Sequence, residues 1–134
     1  MTETALWALQ SAVYTRLSND AELMQVVTGI HDAVAEDLIF PYVTIGSPTA
    51  LNIETRSSFS EEIAVTIHCW SIYDGKRQVF DILNAIHRAI GKGLSFDGSF
   101  SLLKVSRPDL QVIDDLDPRI KHGMARFTFT IKNN

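Results

Sequence analysis

The sequence predicts an α+β domain, a mainly antiparallel sheet packed on one side by two to three helices, and three stretches predict it. Residues 61–70 alternate, with Ile63, Val65, Ile67 and Cys69 on one side, and strand side chains point to opposite faces with a period of two. Residues 125–132 alternate the same way, with Ala125, Phe127, Phe129 and Ile131 against Arg126, Thr128, Thr130 and Lys132. Between them the period turns helical: Val79, Ile82, Leu83, Ile86 and Ile90 form one stripe, opposite Arg77, Asp81, Asn84 and Arg88. A half-apolar sheet and a one-sided helix must bury those faces, and each supplies the other's cover.

Taken in order, Thr2 or Thr4 is placed to cap a first helix reaching about Leu17. Its stripe is Leu6, Leu9, Val13 and Leu17, widened by Ala5, Ala12 and Trp7. Ser18-Asn19-Asp20 recaps a shorter helix from Ala21 to about Val27, closed by Gly29. Residues 30–34 fit a short strand, and residues 35–38 also tolerate a helical turn. Pro41 opens a strand over 42–46, since proline at a strand's first residue loses no needed ladder bond. Ser47-Pro48 marks an edge, a bulge or a break, after which 49–53 can resume the strand.

Residues 54–60 are polar apart from Phe59, and the excursion at 52–60 suits an exposed hairpin tip. Tyr73-Asp74-Gly75 separates the central strand from its helix. Lys92-Gly93 and Asp97-Gly98 frame a loop before a strand over 100–107, in which Leu103 and Val105 share a face. Pro108 divides that strand from Leu110-Gln111-Val112-Ile113. Residues 114–119 form an acidic turn ahead of the last strand.

At 134 residues the chain is one domain, residues 1–134, long enough to bury about two-thirds of its unfolded surface. Apolar residues are 46% and charged residues 21%, and a low charged fraction is a compositional trait of surfaces that meet other chains. Net charge is −4, and the twelve Lys and Arg are scattered. Phosphate neutralisation needs a clustered basic surface, so specific nucleic-acid binding is not expected. The single cysteine, Cys69, excludes an internal disulfide framework and reads as a small core residue. The first residues lack a basic segment ahead of an apolar run, and no apolar stretch nears the roughly 20 residues of a spanning helix. A cytoplasmic protein with no membrane partner is expected.

Chemistry is sparse. Asp114, Asp115 and Asp117 bring oxygen ligands together, but the turn glycine and distal glutamate of a calcium loop are missing. An exposed acidic turn is the simpler account. Glu61 and Glu62 are adjacent, so on a strand they face opposite ways and cannot form an acid/base pair. His31, His68, His87 and His122 are dispersed, none at metal-ligand spacing, and His68 shares a strand face with Trp70 as a half-buried packing residue. There is no Gly-x-Ser-x-Gly elbow, and Gly91-Lys92-Gly93 follows a helix where a phosphate loop would precede one. No nucleophile, base or metal set is assembled, so neither an enzyme nor a cofactor or metal site is expected.

Four segments together carry a resemblance. Residues 9–17 (LQSAVYTRL) followed by Asp20 resemble the opening helix of the small tail-completion, or tail-terminator, proteins of long-tailed phages, prophages and gene transfer agents. Residues 41–46 (PYVTIG) are similar to that family's second block, 65–71 (VTIHCWS) to its third, and His122-Gly123 before Phe127-Thr128-Phe129 to its fourth. A departure is His31, where the family more often has an aromatic. The resemblance implies a virion structural protein, made in the host cytoplasm and then carried at the head-proximal end of the tail. There it would form a ring, usually hexameric, that stops tube polymerisation and offers the head a docking surface, with DNA passing through. The implied partners are copies of itself, the tail tube protein and a head–tail connector or neck protein.

A closed ring needs two different patches on each subunit. The candidates are the excursion at 52–60, with Arg56 and Phe59, and the loop at 114–119, with Asp114, Asp115, Asp117 and Arg119. Either is equally readable as a solvated loop. Two alternatives stand beside the terminator: another neck or connector protein, and a small ligand-binding domain or enzyme built around a deep polar pocket.

Overall fold

The computed structural model describes residues 3–33, 37–73 and 75–134. Thr2, Asp74 and residues 34–36, on which parts of the readings above fall, lie outside the described residues.

The elements follow as α1 (Leu6–Ser18), α2 (Ala21–Met24), β1 (Ile30–His31), β2 (Tyr42–Ile45), β3 (Thr49–Glu54), β4 (Phe59–Ile72), α3 (Arg77–Gly91), β5 (Phe100–Val105), β6 (Asp109–Asp114) and β7 (Ile120–Asn133). β4 and β7 pair antiparallel over their whole length, from Phe59↔Asn133 to Ile72↔Ile120. Two broken strands flank this pair. β2 and then β3 run along β4, interrupted at Gly46-Ser47-Pro48, while β5 and then β6 run along β7, interrupted at Ser106-Arg107-Pro108. Proline, which cannot donate to a ladder, sits in both breaks. β1 adds in parallel to the outer edge of β2. The result is a mostly antiparallel α+β sheet with the helices on one face.

That face is the core. Ile63, Val65, Ile67 and Cys69 meet Ala125, Phe127, Phe129 and Ile131, all buried, under the α3 stripe of Val79, Ile82, Leu83, Ile86 and Ile90 and under Leu9, Val13 and Leu17 of α1. Cys69 is a buried free thiol whose pKa burial pushes up to about 12, so it is inert packing. Gly123 lies opposite Cys69, and a Cβ there would stand 2.7 Å from Cys69 Sγ and 2.8 Å from Val79 Cγ2. Glycine at this position lets α3 rest directly on the sheet.

Several details differ from the sequence reading. Ala5 caps α1 without a side-chain cap of its own. Instead Glu61, 5% exposed on the helix side of β4, accepts from Ala5 N at 2.7 Å, Thr4 Oγ1 at 2.6 Å and Asn133 Nδ2 at 2.8 Å. A carboxylate delivered from the sheet thus holds the positive end of α1. The second helix is shorter than read, because Asp20 caps it at Leu23 N but its ladder ends at Met24. Asp20 is buried and also binds Lys92 at 2.6 Å and Arg16 at 3.1 Å, tying α1, α2 and the end of α3 together. Trp7 widens no stripe: it is 76% exposed. A bulge between Leu102 and Lys104 shifts β5, so Leu102 and Val105 pack on the core while Leu103 faces out.

Candidate assembly surfaces

The sequence-derived candidates fall at opposite ends of the sheet. The turn joining β3 to β4 lies where β4 begins, and the turn joining β6 to β7 lies where β4 ends. Fourteen residues of strand separate them, about 40 Å. Arg56 and Phe59 therefore do not meet Asp114, Asp115, Asp117 or Arg119.

At the first end, β3 and the start of β4 form an arm. Every residue of β3 is exposed, including Ala50, Leu51 and Ile53, because the helices do not extend beneath it. Thr55 closes the turn by exchanging hydrogen bonds with Ser58, leaving Arg56 and Ser57 outermost. Phe59 corrects the sequence reading: it is the first residue of β4, half-buried, paired with both Glu54 and Asn133. The exposed apolar residues of the arm are Leu51 and Ile53, which an aromatic-and-arginine search passes over.

The 114–119 loop is largely closed on itself. Asp117 accepts from Arg119 N at 3.0 Å, Nε at 3.1 Å and Nη2 at 2.7 Å, and these bonds hold its carboxyl down at about 2. Asp114 pairs with Lys121 at 3.0 Å, and Lys121 also donates to Pro118 O. Asp115 caps Leu116 N. Asp114 and Asp117 are thus paired with neighbouring cations, and Leu116 between them is fully exposed. Among the described residues no group of three or more His, Cys, Asp or Glu is placed to hold a metal.

The sheet face away from the helices carries a strip of rings across four strands. His31 meets Tyr42 edge-on at 6.2 Å, Tyr42 stacks with Trp70 at 6.1 Å, and Trp70 stacks with His122 at 3.7 Å. His68 Nδ1 and His122 Nε2 lie 2.8 Å apart, so one imidazole donates and the other accepts. Burial lowers the pKa of both; His68 lowers His122 further, while Asp115 pulls it up. Asp115 also raises Tyr42, after the larger effect of burial. The acidic turn and the ring strip therefore share one end of the sheet. Sequence hid this, since 54 residues separate the two histidines and only strand register brings them together.

A third surface is a cavity of about 820 Å3 between α1 and the loop before β5, lined among others by Glu3, Trp7, Arg16, Asp97 and Phe100. Phe100, the first residue of β5, and the exposed Trp7 both form part of its wall.

An arm without cover from its own helices, a strip of stacked rings and a groove between α1 and β5 are the chain's candidate surfaces for contact with other proteins. The comparisons name the family. The family model described as tail completion protein gp17 matches residues 11–132. The tail completion protein gp17 of Bacillus phage SPP1 is 34% identical over 128 residues, covering 95% of this chain and 94% of that protein. The chain belongs to this family, whose members are virion structural proteins and not enzymes.

Solved structures agree. A structure of bacteriophage SPP1 gp17 superimposes with a TM-score of 0.68 at 34% identity, over 98% of this chain and 94% of that one. A chain from the virion of a native gene transfer agent particle shares the fold, with a TM-score of 0.81 at 20% identity over 98% of this chain and 100% of that one.

Proposed function

We propose that this tail completion protein closes the head-proximal end of the tail tube as a ring, hexameric by the family resemblance. The ring stops tube polymerisation and gives the filled head its docking surface. The observation that carries this reading is the β3–β4 arm, a strand exposed at every residue and bearing Leu51 and Ile53 in a chain whose core is otherwise well covered. Apolar strand surface of this kind marks a site of contact. Head-to-tail closure needs two unlike patches on each subunit, and the arm supplies one of them. In this role the protein is made in the host cytoplasm and then enters the virion, meeting copies of itself, the tube protein and a connector or neck protein.

The test is electron microscopy of particles produced without the protein. Overlong or ragged tubes beside unjoined heads are expected. Tails of normal length beside unjoined heads would reassign the chain as a neck connector.

A further inference from the structure

We infer that the β3–β4 arm of one copy adds as a strand to the β5 edge of the next copy, with its Arg56 tip over the carboxylates of the groove between α1 and β5. This inference rests on the ring reading above and names the second face that reading requires.

Strand direction supplies the first argument. β3 is antiparallel to β4, β4 to β7, and β7 to β5, so β3 and β5 of one chain run in opposite directions. Rotation about a ring axis preserves those directions for strands that run along the axis, the arrangement this inference takes. A neighbour's β3 placed beside β5 is therefore antiparallel to it, and the row β3-β4-β7-β5 continues into the next copy without a reversed pair. Among the described residues the outer edges of β3 and β5 have no partner strand, whereas β1 covers the edge of β2. β3 contains neither proline nor lysine to blunt its edge.

Level supplies the second. Glu54, Phe59, Asn133 and Phe100 form one row across the sheet, and Ile53, Ser60, Lys132 and Ser101 the next. The free edges of β3 and β5 thus lie at the same end of the molecule, and that of β6 at the other. A neighbour held at equal height sets Ile53 beside Ser101, on matching faces.

Charge supplies the third. At equal height the arm's tip, two residues beyond Glu54, reaches the loop three residues before Phe100. Arg56 then comes to Asp97 and Glu3, the two carboxylates that line the groove. The groove's own cation, Arg16, is already bound to Asp20, and Arg56 makes no ion pair among the described residues. Backbone pairing supplies adhesion, and opposite charges at the tip select the partner. Lys104 and the β5 bulge protect that edge from indiscriminate pairing.

The experiment combines charge reversal with cross-linking in the full chain, read by sedimentation over a concentration series and by binding to tail tubes from a lysate lacking the protein. Arg56→Asp and Asp97→Arg should each weaken assembly about tenfold or more, and the double variant should recover most of it. In a Cys69→Ser background, Ile53→Cys with Ser101→Cys should oxidise to a ladder of covalent oligomers, because opposed antiparallel residues lie within disulfide reach. Rings that form undisturbed by the reversals and without a ladder overturn this edge assignment and leave the ring reading standing. Cross-linking of Ile53→Cys alone to itself indicates a two-fold β3–β3 contact and also overturns it. A wild-type chain that self-associates neither alone nor on tubes removes both.

Discussion

Glu61→Ala is expected to destabilise the fold by about 3 kcal/mol or more. The carboxylate is buried and accepts three hydrogen bonds, from Ala5 N, Thr4 Oγ1 and Asn133 Nδ2. Hydrogen bonds to a charged group contribute about 1.5–3 kcal/mol each, and a buried donor left unpaired costs about 1–3 kcal/mol. The sum is not additive, because Thr4 can turn to water and Asn133 Nδ2 also donates to Glu3 O. Denaturant unfolding should show a lower midpoint at unchanged slope. An unchanged midpoint would show that α1 is not held by β4.

The same group has a pH signature. Burial alone raises the Glu61 pKa, but the hydrogen bonds from Thr4, Asn133 and Ala5 outweigh it, and the net shift is downward from 4.5. A carboxylate with a depressed folded pKa contributes stability that is present above its unfolded value and lost as pH falls through the folded one. Wild-type stability should therefore fall below about pH 4.5, and the acid limb should be shallower in Glu61→Ala. Asp20, likewise lowered, keeps its own part of that slope.

Gly123→Val should be of similar size by the opposite mechanism. A Cβ at 123 would lie 2.7 Å from Cys69 Sγ, 2.8 Å from Val79 Cγ2 and 3.2 Å from Leu83 Cδ1. Valine at 79 is stiff at χ1 and Cys69 is fixed in the sheet, so neither neighbour yields without moving α3. Overpacking of a filled core costs about 1–3 kcal/mol, and two extra methyl groups place valine at or above the top of that range. Gly123→Ala should cost less, and combining it with Val79→Ala should recover part of the loss in a double-mutant cycle. Stability unchanged in Gly123→Ala would mean that the helix does not sit this close.

These two positions show what the sequence made legible. Periods of two and 3.6 revealed β4, β7 and α3 because their burial is one-sided along the whole element. Contacts set by register rather than period were hidden: Glu61 capping a helix 56 residues earlier, Gly123 admitting Val79, and His68 meeting His122. β3 was harder, since a strand exposed on both faces has no alternation to read. Phe59 looked like part of an exposed tip because residues around it are polar, yet pairing with both Asn133 and Glu54 places it in β4. The β5 bulge reversed the facing of Leu103 for a related reason, since one extra residue changes parity without changing composition. The acidic loop reads as a turn from its composition, whereas the pairing of Asp114 with Lys121 and of Asp117 with Arg119 depends on geometry that composition does not carry.

The most direct measurement is a cryo-electron microscopy reconstruction of the assembled particle at the junction of head and tail. The account predicts a closed ring of this fold capping the tube, each copy meeting the next through two unlike surfaces. A single copy at that junction, or copies found only elsewhere in the particle, would contradict it.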